Sequence, residues 1–372
     1  MNKKNKLDFL ESWNHRILKS LRKRFDSDNI FKSISDFKCQ IEASFDIESK
    51  WSKNNKNTIN KIISNDINSI LVCGMGGSAI GAELANSMLF DSIKIPFTIN
   101  RSTDIPNWVN NKTLVIILSY SGNTYETIQA FHESISKTKN IIAISSKFGK
   151  INKICLEKDL SIINIPEDLQ PRCALGYISA ILILVLLRLK LLIKPKKIKL
   201  DLRESIYELN HIDEMNRNVD NPMLHLSHKI KSLTPIIYGV ENHTSIAALR
   251  FNNQLQENAK TISFHNNFPE IKHNEIESWH DNNNLFFIIW LDYDFLDKKL
   301  VLLMDKAFSL LDNLDIQQER ILLNNKIAAK NNKIANLYKL IYFLDWVSYY
   351  TALLNGVKPI SIKNIDFIKK FS

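Results

Sequence analysis

Two short stretches place glycines and hydroxyl side chains directly after apolar runs. Gly74-Met75-Gly76-Gly77-Ser78-Ala79 follows Ile70-Leu71-Val72-Cys73, and Ser119-Tyr120-Ser121-Gly122-Asn123-Thr124 follows Leu114 to Leu118. In both, the apolar run reads as a buried strand and the residues past the turn as a helix. The hydroxyls of Ser78, Ser119, Ser121 and Thr124 then join backbone N–H groups at the positive end of a helix dipole, an arrangement suited to a terminal phosphate monoester. The same residue types also cap helices and form turns, so one such loop alone leaves both readings open. Two of them, at adjacent carboxyl ends of a parallel sheet, point to a phosphosugar, with Gly76, Gly77, Ser78, Ser119, Ser121 and Thr124 as the phosphate-binding set.

The first loop also matches the G-x-G-x-x-A form of the dinucleotide fingerprint. A dinucleotide site wants an acidic residue at the end of the second strand to hold the ribose hydroxyls. Here Phe97-Thr98-Ile99-Asn100 ends in Arg101, which argues against NAD and leaves NADP as the less favoured reading of this loop. Metal ligation finds no support either. His225 and His228 share a helix face at i, i+3 but have no third ligand spaced nearby, and they read as surface histidines. No cofactor and no metal are expected.

The elements that must position these loops follow from the hydropathy pattern. Leu7, Leu10, Trp13, Ile17 and Leu21 repeat at helical spacing, and no glycine precedes Gly74, which predicts an N-terminal helical arm over residues 1–60. Strand, glycine loop and helix then alternate: a helix from Ser78 to Leu89, another from Glu126 to Ser136, and further strands at Ile141 to Ser145 and Leu160 to Ile165. That spacing predicts an α/β domain over 61–195 with a parallel sheet flanked by helices. The lysine-rich segment Leu192 to Lys197 is the expected linker. A second domain of the same kind, 201–372, contains the strands Pro235 to Gly239 and Leu285 to Leu291. Its helices are expected at Thr244 to Glu257 and Asp297 to Leu311, with a closing helix at Leu337 to Leu354. The halves read as a weak internal duplication of one doubly wound unit.

Length and composition bound the rest. With 372 residues, 45% hydrophobic and 24% charged, the chain suits two folded domains and neither a disordered nor a multi-span membrane protein. The longest apolar run, Ile178 to Leu187, is far short of the roughly 20 residues a bilayer span needs and reads as a buried helix. The net charge of +10 comes from lysines dispersed along the chain rather than from a stripe, so no nucleic-acid partner is expected. Cys39, Cys73, Cys155 and Cys173 form no C-x-x-C pair, and no apolar leader follows Met1, which together suggest the cytoplasm.

On these residues the chain resembles the sugar isomerase (SIS) domain proteins. More narrowly, it resembles the bifunctional phosphoglucose/phosphomannose isomerase family. The Gly-Gly-Ser turn and the Ser-Tyr-Ser-Gly-Asn-Thr loop are common to SIS proteins. Three further blocks occur in the narrower family's order: Pro171-Arg172-Cys173-Ala174-Leu175-Gly176-Tyr177, Asn253 to Lys260, and Phe268 to Glu275. The resemblance implies a fold of two SIS domains and a metal-free aldose-ketose isomerase. Such an enzyme interconverts glucose 6-phosphate, and mannose 6-phosphate as well, with fructose 6-phosphate.

Moving a proton between C1 and C2 through an enediol needs a base that removes and returns it on one face, and the family's glutamate falls on Glu257. A developing enediolate needs a fixed positive charge, and the family's arginine falls on Arg172. The family's histidine, which helps open the sugar ring and reaches the site from the other subunit of a homodimer, falls on His273. Thr351 and Lys358 are candidates for the threonine and lysine near the family's C-terminus, although Gly356-Val357-Lys358-Pro359 departs from the usual Gly-Val-Asp-Pro. Tyr125 also replaces the acidic residue usual after Ser-Gly-Asn-Thr.

Taken singly, Glu257 reads as a solvated helix residue, Arg172 as a surface ion-pair partner and His273 as a loop filler. Their joint presence in family order is what favours catalysis. The alternative of another class is a non-catalytic SIS-domain regulator that binds a phosphosugar. It needs the phosphate loops but no base. An amidotransferase-type ketose isomerase needs an attached glutaminase domain, for which sixty residues are too few.

Overall fold

Strands that are apolar at every position need cover on both faces, and helices supply it here. The computed structural model describes residues 17–218, 220–280, 284–292, 297–323 and 332–369. It divides into two compact units, one of residues 36–206 and the other made from the chain before 36 and from 207 onward.

Ahead of the first strand the chain is helical over 17–25 and then forms α1 (Ile30–Ser35), α2 (Phe37–Asn54) and α3 (Lys56–Ser64). Ile17 and Leu21 fall in the helical stretch, whereas Leu7, Leu10 and Trp13 lie outside the described residues. The border between the units falls between α1 and α2, so the helical segment expected over 1–60 is shared between them.

In the first unit, β1 (Ser69–Cys73), α4 (Gly76–Leu89), β2 (Phe97–Asn100), β3 (Thr113–Ser119), α5 (Tyr125–Lys137), β4 (Ile141–Ser146), α6 (Lys150–Glu157) and β5 (Ser161–Ile165) alternate. A single 3₁₀ turn, Pro171–Cys173, leads into α7 (Leu175–Arg188). The five strands are parallel in the order β2-β1-β3-β4-β5. Every residue of β3 and β4 is buried. Leu71, Cys73, Val115, Ile117, Ile141 and Ala143 on one face pack with Ile128 and Phe131 of α5 and with Ile151 and Cys155 of α6. Alternation along the strands turns Ile70, Val72, Ile116 and Ile142 to the other face. α7 buries nearly its whole length, which explains an apolar run too short for a membrane. Among the described residues no helix is long and apolar enough to cross one.

Leu191 to Ile193 lie against Ser92 to Lys94, with Ile193 N–H donating to the Ser92 carbonyl at 2.8 Å. The chain then enters α8 (Pro195–Arg217), and the unit border falls inside this helix, after Ile206, rather than at the lysine-rich segment. The physical reason is burial: Leu192, Ile198 and Leu202 are core residues.

The second unit continues with α9 (Pro222–Ile230), β6 (Thr234–Val240), α10 (Ser245–Ala259), β7 (Phe264–Phe268), β8 (Phe286–Leu291), α11 (Lys298–Asn313), β9 (Gln318–Ile321), α12 (Lys333–Leu354) and α13 (Lys363–Lys369). Two 3₁₀ turns, Glu270–His273 and Glu275–Ser278, follow β7. The parallel strands run in the order β7-β6-β8-β9, so both sheets begin with the second, first, third and fourth strands of their unit. The edge strands β7 and β9 are polar in sequence and escape a hydropathy reading. Tyr238, Trp290 and Phe268 fill one face together with Met304 and Leu311 of α11. α12 is buried almost throughout.

Candidate active site

Glycine decides the shape of both first-unit loops. Gly122 holds a φ of +66°, and a Cβ there would stand 2.7 Å from Ser145 Oγ and 2.8 Å from Gly149 Cα. Only glycine lets the 119–124 loop lie this close to the loop that opens α6. Gly77 lies against the turn that carries Arg172, where a Cβ would be 3.0 Å from the Pro171 carbonyl oxygen and 3.3 Å from Arg172 Cα. This close approach brings Arg172, itself buried, beside the Gly76-Gly77-Ser78 turn.

The hydroxyls first of all brace the loops. Ser78 Oγ accepts from Tyr120 N–H at 3.1 Å, which ties the first loop to the second. Ser119 Oγ accepts from Gly122 N–H at 3.2 Å and lies 3.1 Å from Thr124 Oγ1. Ser119 and Ser78 are buried, Thr124 is half-buried and Ser121 is exposed, its Oγ accepting from Asn123 N–H at 3.3 Å. Thr124 precedes α5 without a side-chain bond to the first helical N–H groups. The loops thus gather the hydroxyls of Ser78, Ser119 and Thr124 at the starts of α4 and α5, where the helix dipole favours an oxyanion.

The residues that hold the Arg172 turn carry no signal in the local sequence. Gln40 of α2, fully buried, donates from Nε2 to the Cys173 carbonyl at 2.8 Å and accepts from Gly176 N–H through Oε1 at 3.1 Å. Tyr120 OH accepts from Leu169 N–H at 3.0 Å, and burial pushes its phenol up to about 12, so it stays protonated. Both contacts join residues far apart in sequence, and no local motif announces them. Burial likewise pushes the Cys73 and Cys155 thiols up to about 12, so neither supplies a nucleophile near neutral pH. Arg101 pairs with Glu83 at 2.7 Å. Among the described residues no cluster of three or more His, Cys, Asp or Glu is arranged to hold a metal ion.

Glu257, His273, Thr351 and Lys358 belong to the second unit. Glu257 is half-buried in the last turn of α10. His273 is exposed at the end of the 3₁₀ turn that follows β7. The two therefore lie past opposite ends of β7, separated by the length of a five-residue strand, about 17 Å at 3.3 Å per residue. Thr351 is buried, and its hydroxyl donates to the Val347 carbonyl at 2.8 Å within α12. Lys358 is exposed, and its carbonyl accepts from Lys260 Nζ at 3.0 Å. Glu275 is occupied as a structural acceptor, from Tyr238 OH at 2.6 Å and from Asn266 Nδ2 at 2.5 Å. His225 and His228 are exposed on α9, as expected of surface histidines. A cleft of about 580 Å³ runs beside α10, lined by Asn252, Gln256, Lys260, Ser263 and His265 among others, and Glu257 is not in its lining.

Residues 219–371 match the family described as "Bacterial phospho-glucose isomerase C-terminal SIS domain". A bifunctional phosphoglucose/phosphomannose isomerase of Caldicellulosiruptor bescii is 33% identical, covering 91% of this chain and 98% of its own. One from Aquifex aeolicus is 30% identical over 81% of this chain and 89% of its own. In fold, a hypothetical protein of Thermus thermophilus matches with a TM-score of 0.75 at 13% identity, covering 98% of this chain and 95% of that one. Tagatose-6-phosphate ketose/aldose isomerase of Escherichia coli matches at 0.66 and 14% identity, covering 88% of this chain and 93% of that one. With the loops, the buried arginine and near full-length similarity in hand, the chain belongs to the bifunctional phosphoglucose/phosphomannose isomerase family.

Proposed function

We propose that this chain interconverts glucose 6-phosphate, and mannose 6-phosphate as well, with fructose 6-phosphate by proton transfer through a cis-enediol. The carrying observation is the 33% identity to a bifunctional isomerase over 91% of the chain. In this reading the loops around Gly76, Gly77, Ser78, Ser119, Ser121 and Thr124 hold the phosphate. Glu257 shuttles the proton between C1 and C2, and Arg172 stabilises the enediolate oxygen. A non-catalytic phosphosugar sensor would have no use for Glu257 or His273.

His273 is assigned to ring opening in a second copy's site within a homodimer. The strand's length between Glu257 and His273 supports this, because one sugar phosphate cannot touch groups at both ends of β7. A coupled assay that follows fructose 6-phosphate conversion to each aldose phosphate tests the activity. No turnover to either product leaves the sensor standing. The sharing of His273 is tested by mixing inactive Glu257→Gln and His273→Ala proteins under conditions that exchange subunits. Half the dimers are then mixed and carry one intact site, so about a quarter of parental activity should return. No recovery on exchange places both groups in one subunit's site.

A further inference from the structure

α10 ends in an unusual way. Helices commonly close on a glycine in the left-handed region, but here the residue is Lys260, with φ +54° and ψ 35°. A lysine in that conformation is strained by its Cβ, so its side chain is where a compensating role is to be sought.

The last carbonyls of a helix have no partner within it and must find one elsewhere. The backbone N–H groups of Lys260 and Thr261 both turn back to the Leu255 carbonyl. Lys260 Nζ lies 2.6 Å from the Glu257 carbonyl oxygen and 3.2 Å from that of Asn258. The same ammonium reaches the carbonyls of Lys358 at 3.0 Å and Pro359 at 3.4 Å, in the segment after α12. An ammonium has only three protons to give, so the shorter contacts to Glu257 and Lys358 dominate. The Ala259 carbonyl accepts from Asn355 Nδ2 at 3.2 Å, and Asn355 also reaches Thr261 Oγ1 at 3.1 Å. One turn earlier, Asn258 Nδ2 donates to Ser348 Oγ at 3.0 Å, which fixes the register of α10 on α12.

We propose that Lys260 is a positioning residue for the isomerase: its ammonium clasps the final turn of α10 to the 358–359 segment and so fixes the place of Glu257. The inference rests on Glu257 being the base. Without the clasp the Glu257 and Asn258 carbonyls turn to water and the last turn frays, carrying the carboxylate away from the substrate carbon. Misplacement of that kind lowers turnover without touching groups that bind the phosphate.

Lys260→Gly removes the ammonium and also relieves the left-handed backbone, so a purely structural lysine predicts equal or better thermal stability and parental activity. The clasp instead predicts a fall in kcat of tenfold or more at unchanged KM for fructose 6-phosphate, with solvent exchange of that substrate's C1 hydrogen slowed in parallel. Lys260→Arg keeps a cation within reach of the carbonyls and should recover most of the lost kcat. Lys260→Met keeps the strained backbone and loses only the charge, and it should match the glycine variant in kcat. Parental kcat in both the glycine and methionine variants overturns the clasp, as does a loss that follows melting temperature alone. Glu257→Gln, assayed beside them, separates the two questions. If it is inactive while Lys260→Gly is parental, only the clasp falls, whereas a fully active Glu257→Gln removes the base and the clasp with it.

Discussion

The two sheets share a ground plan and differ in where they carry reactive groups. In the first unit, the loops after β1 and β3 are short, rich in glycine and hydroxyls, and braced on each other through Ser78 and Tyr120 N–H. In the second, the corresponding loop after β6 uses its hydroxyl as a stitch. Thr244 Oγ1 accepts from Val240 N–H at 2.8 Å and donates to the Leu291 carbonyl at 2.7 Å, so the proton of this hydroxyl is spent inside the fold. Its candidate reactive groups sit instead at the end of α10 and after β7, as Glu257 and His273. One topology thus carries a candidate anion cradle of hydroxyl-bearing loops in one unit and single candidate side chains in the other. Fold alone does not assign either role.

The sharpest way to break this contrast is Glu257→Gln. It keeps volume and hydrogen bonding but removes the base, so kcat should fall by about 10² to 10⁴ while the intact cradle holds KM near its parental value. Parental turnover in steady-state kinetics would reduce Glu257 to a solvated helix residue. Glu275 would be a poor replacement, because Tyr238 and Asn266 already occupy its oxygens.

Next in size is the buried pair that sets α10 on α12. Arg250 meets Asp345 through two bonds, Nε to Oδ1 at 3.0 Å and a second nitrogen to Oδ2 at 2.7 Å, with both side chains buried. Arg250→Ala leaves Asp345 without that partner in the interior, at a cost of about 3 to 5 kcal/mol in denaturant unfolding. A loss below about 1 kcal/mol would mean water reaches the aspartate and the helix pair is held by apolar packing alone.

The smallest effects belong to the cradle. Ser119→Ala removes an acceptor from Gly122 N–H and a partner from Thr124, and Thr124→Ala removes the other side of that contact. Each should raise KM by an amount on the order of 1 to 2 kcal/mol, with kcat changed less than KM. If kcat fell and KM held in these variants, the cradle would belong to the chemical step, and the contrast between the units would blur.

The sequence by itself determined a good deal. The apolar runs of β1, β3, β4, β6 and β8 are legible because strands covered on both faces must be apolar at every position. The glycine and hydroxyl loops are legible because a tight strand-to-helix turn and an anion both demand those residue types at fixed local offsets. Family order then picked out Arg172, Glu257 and His273, which no local pattern marks.

The tertiary structure decided the rest, and in each case the reason is that the deciding contact is distant in sequence. β7, reading Phe-His-Asn-Asn-Phe, and β9, reading Gln-Glu-Arg-Ile, are strands because a neighbour offers backbone partners, not because their side chains are apolar. The lysine-rich segment at Leu192 to Lys197 looks like a linker in composition. Yet Leu192 is buried and Lys196 and Lys197 lie in the first turn of α8, since long lysine side chains leave their backbone free to be helical while the ammonium stays in water. Gln40 holds the Arg172 turn from 133 residues away, and Lys260 meets the carbonyl of Lys358 across 98. Spacing along a chain reports which groups a local turn can gather, whereas a carbonyl left open at a helix end takes whichever donor the packed fold delivers to it.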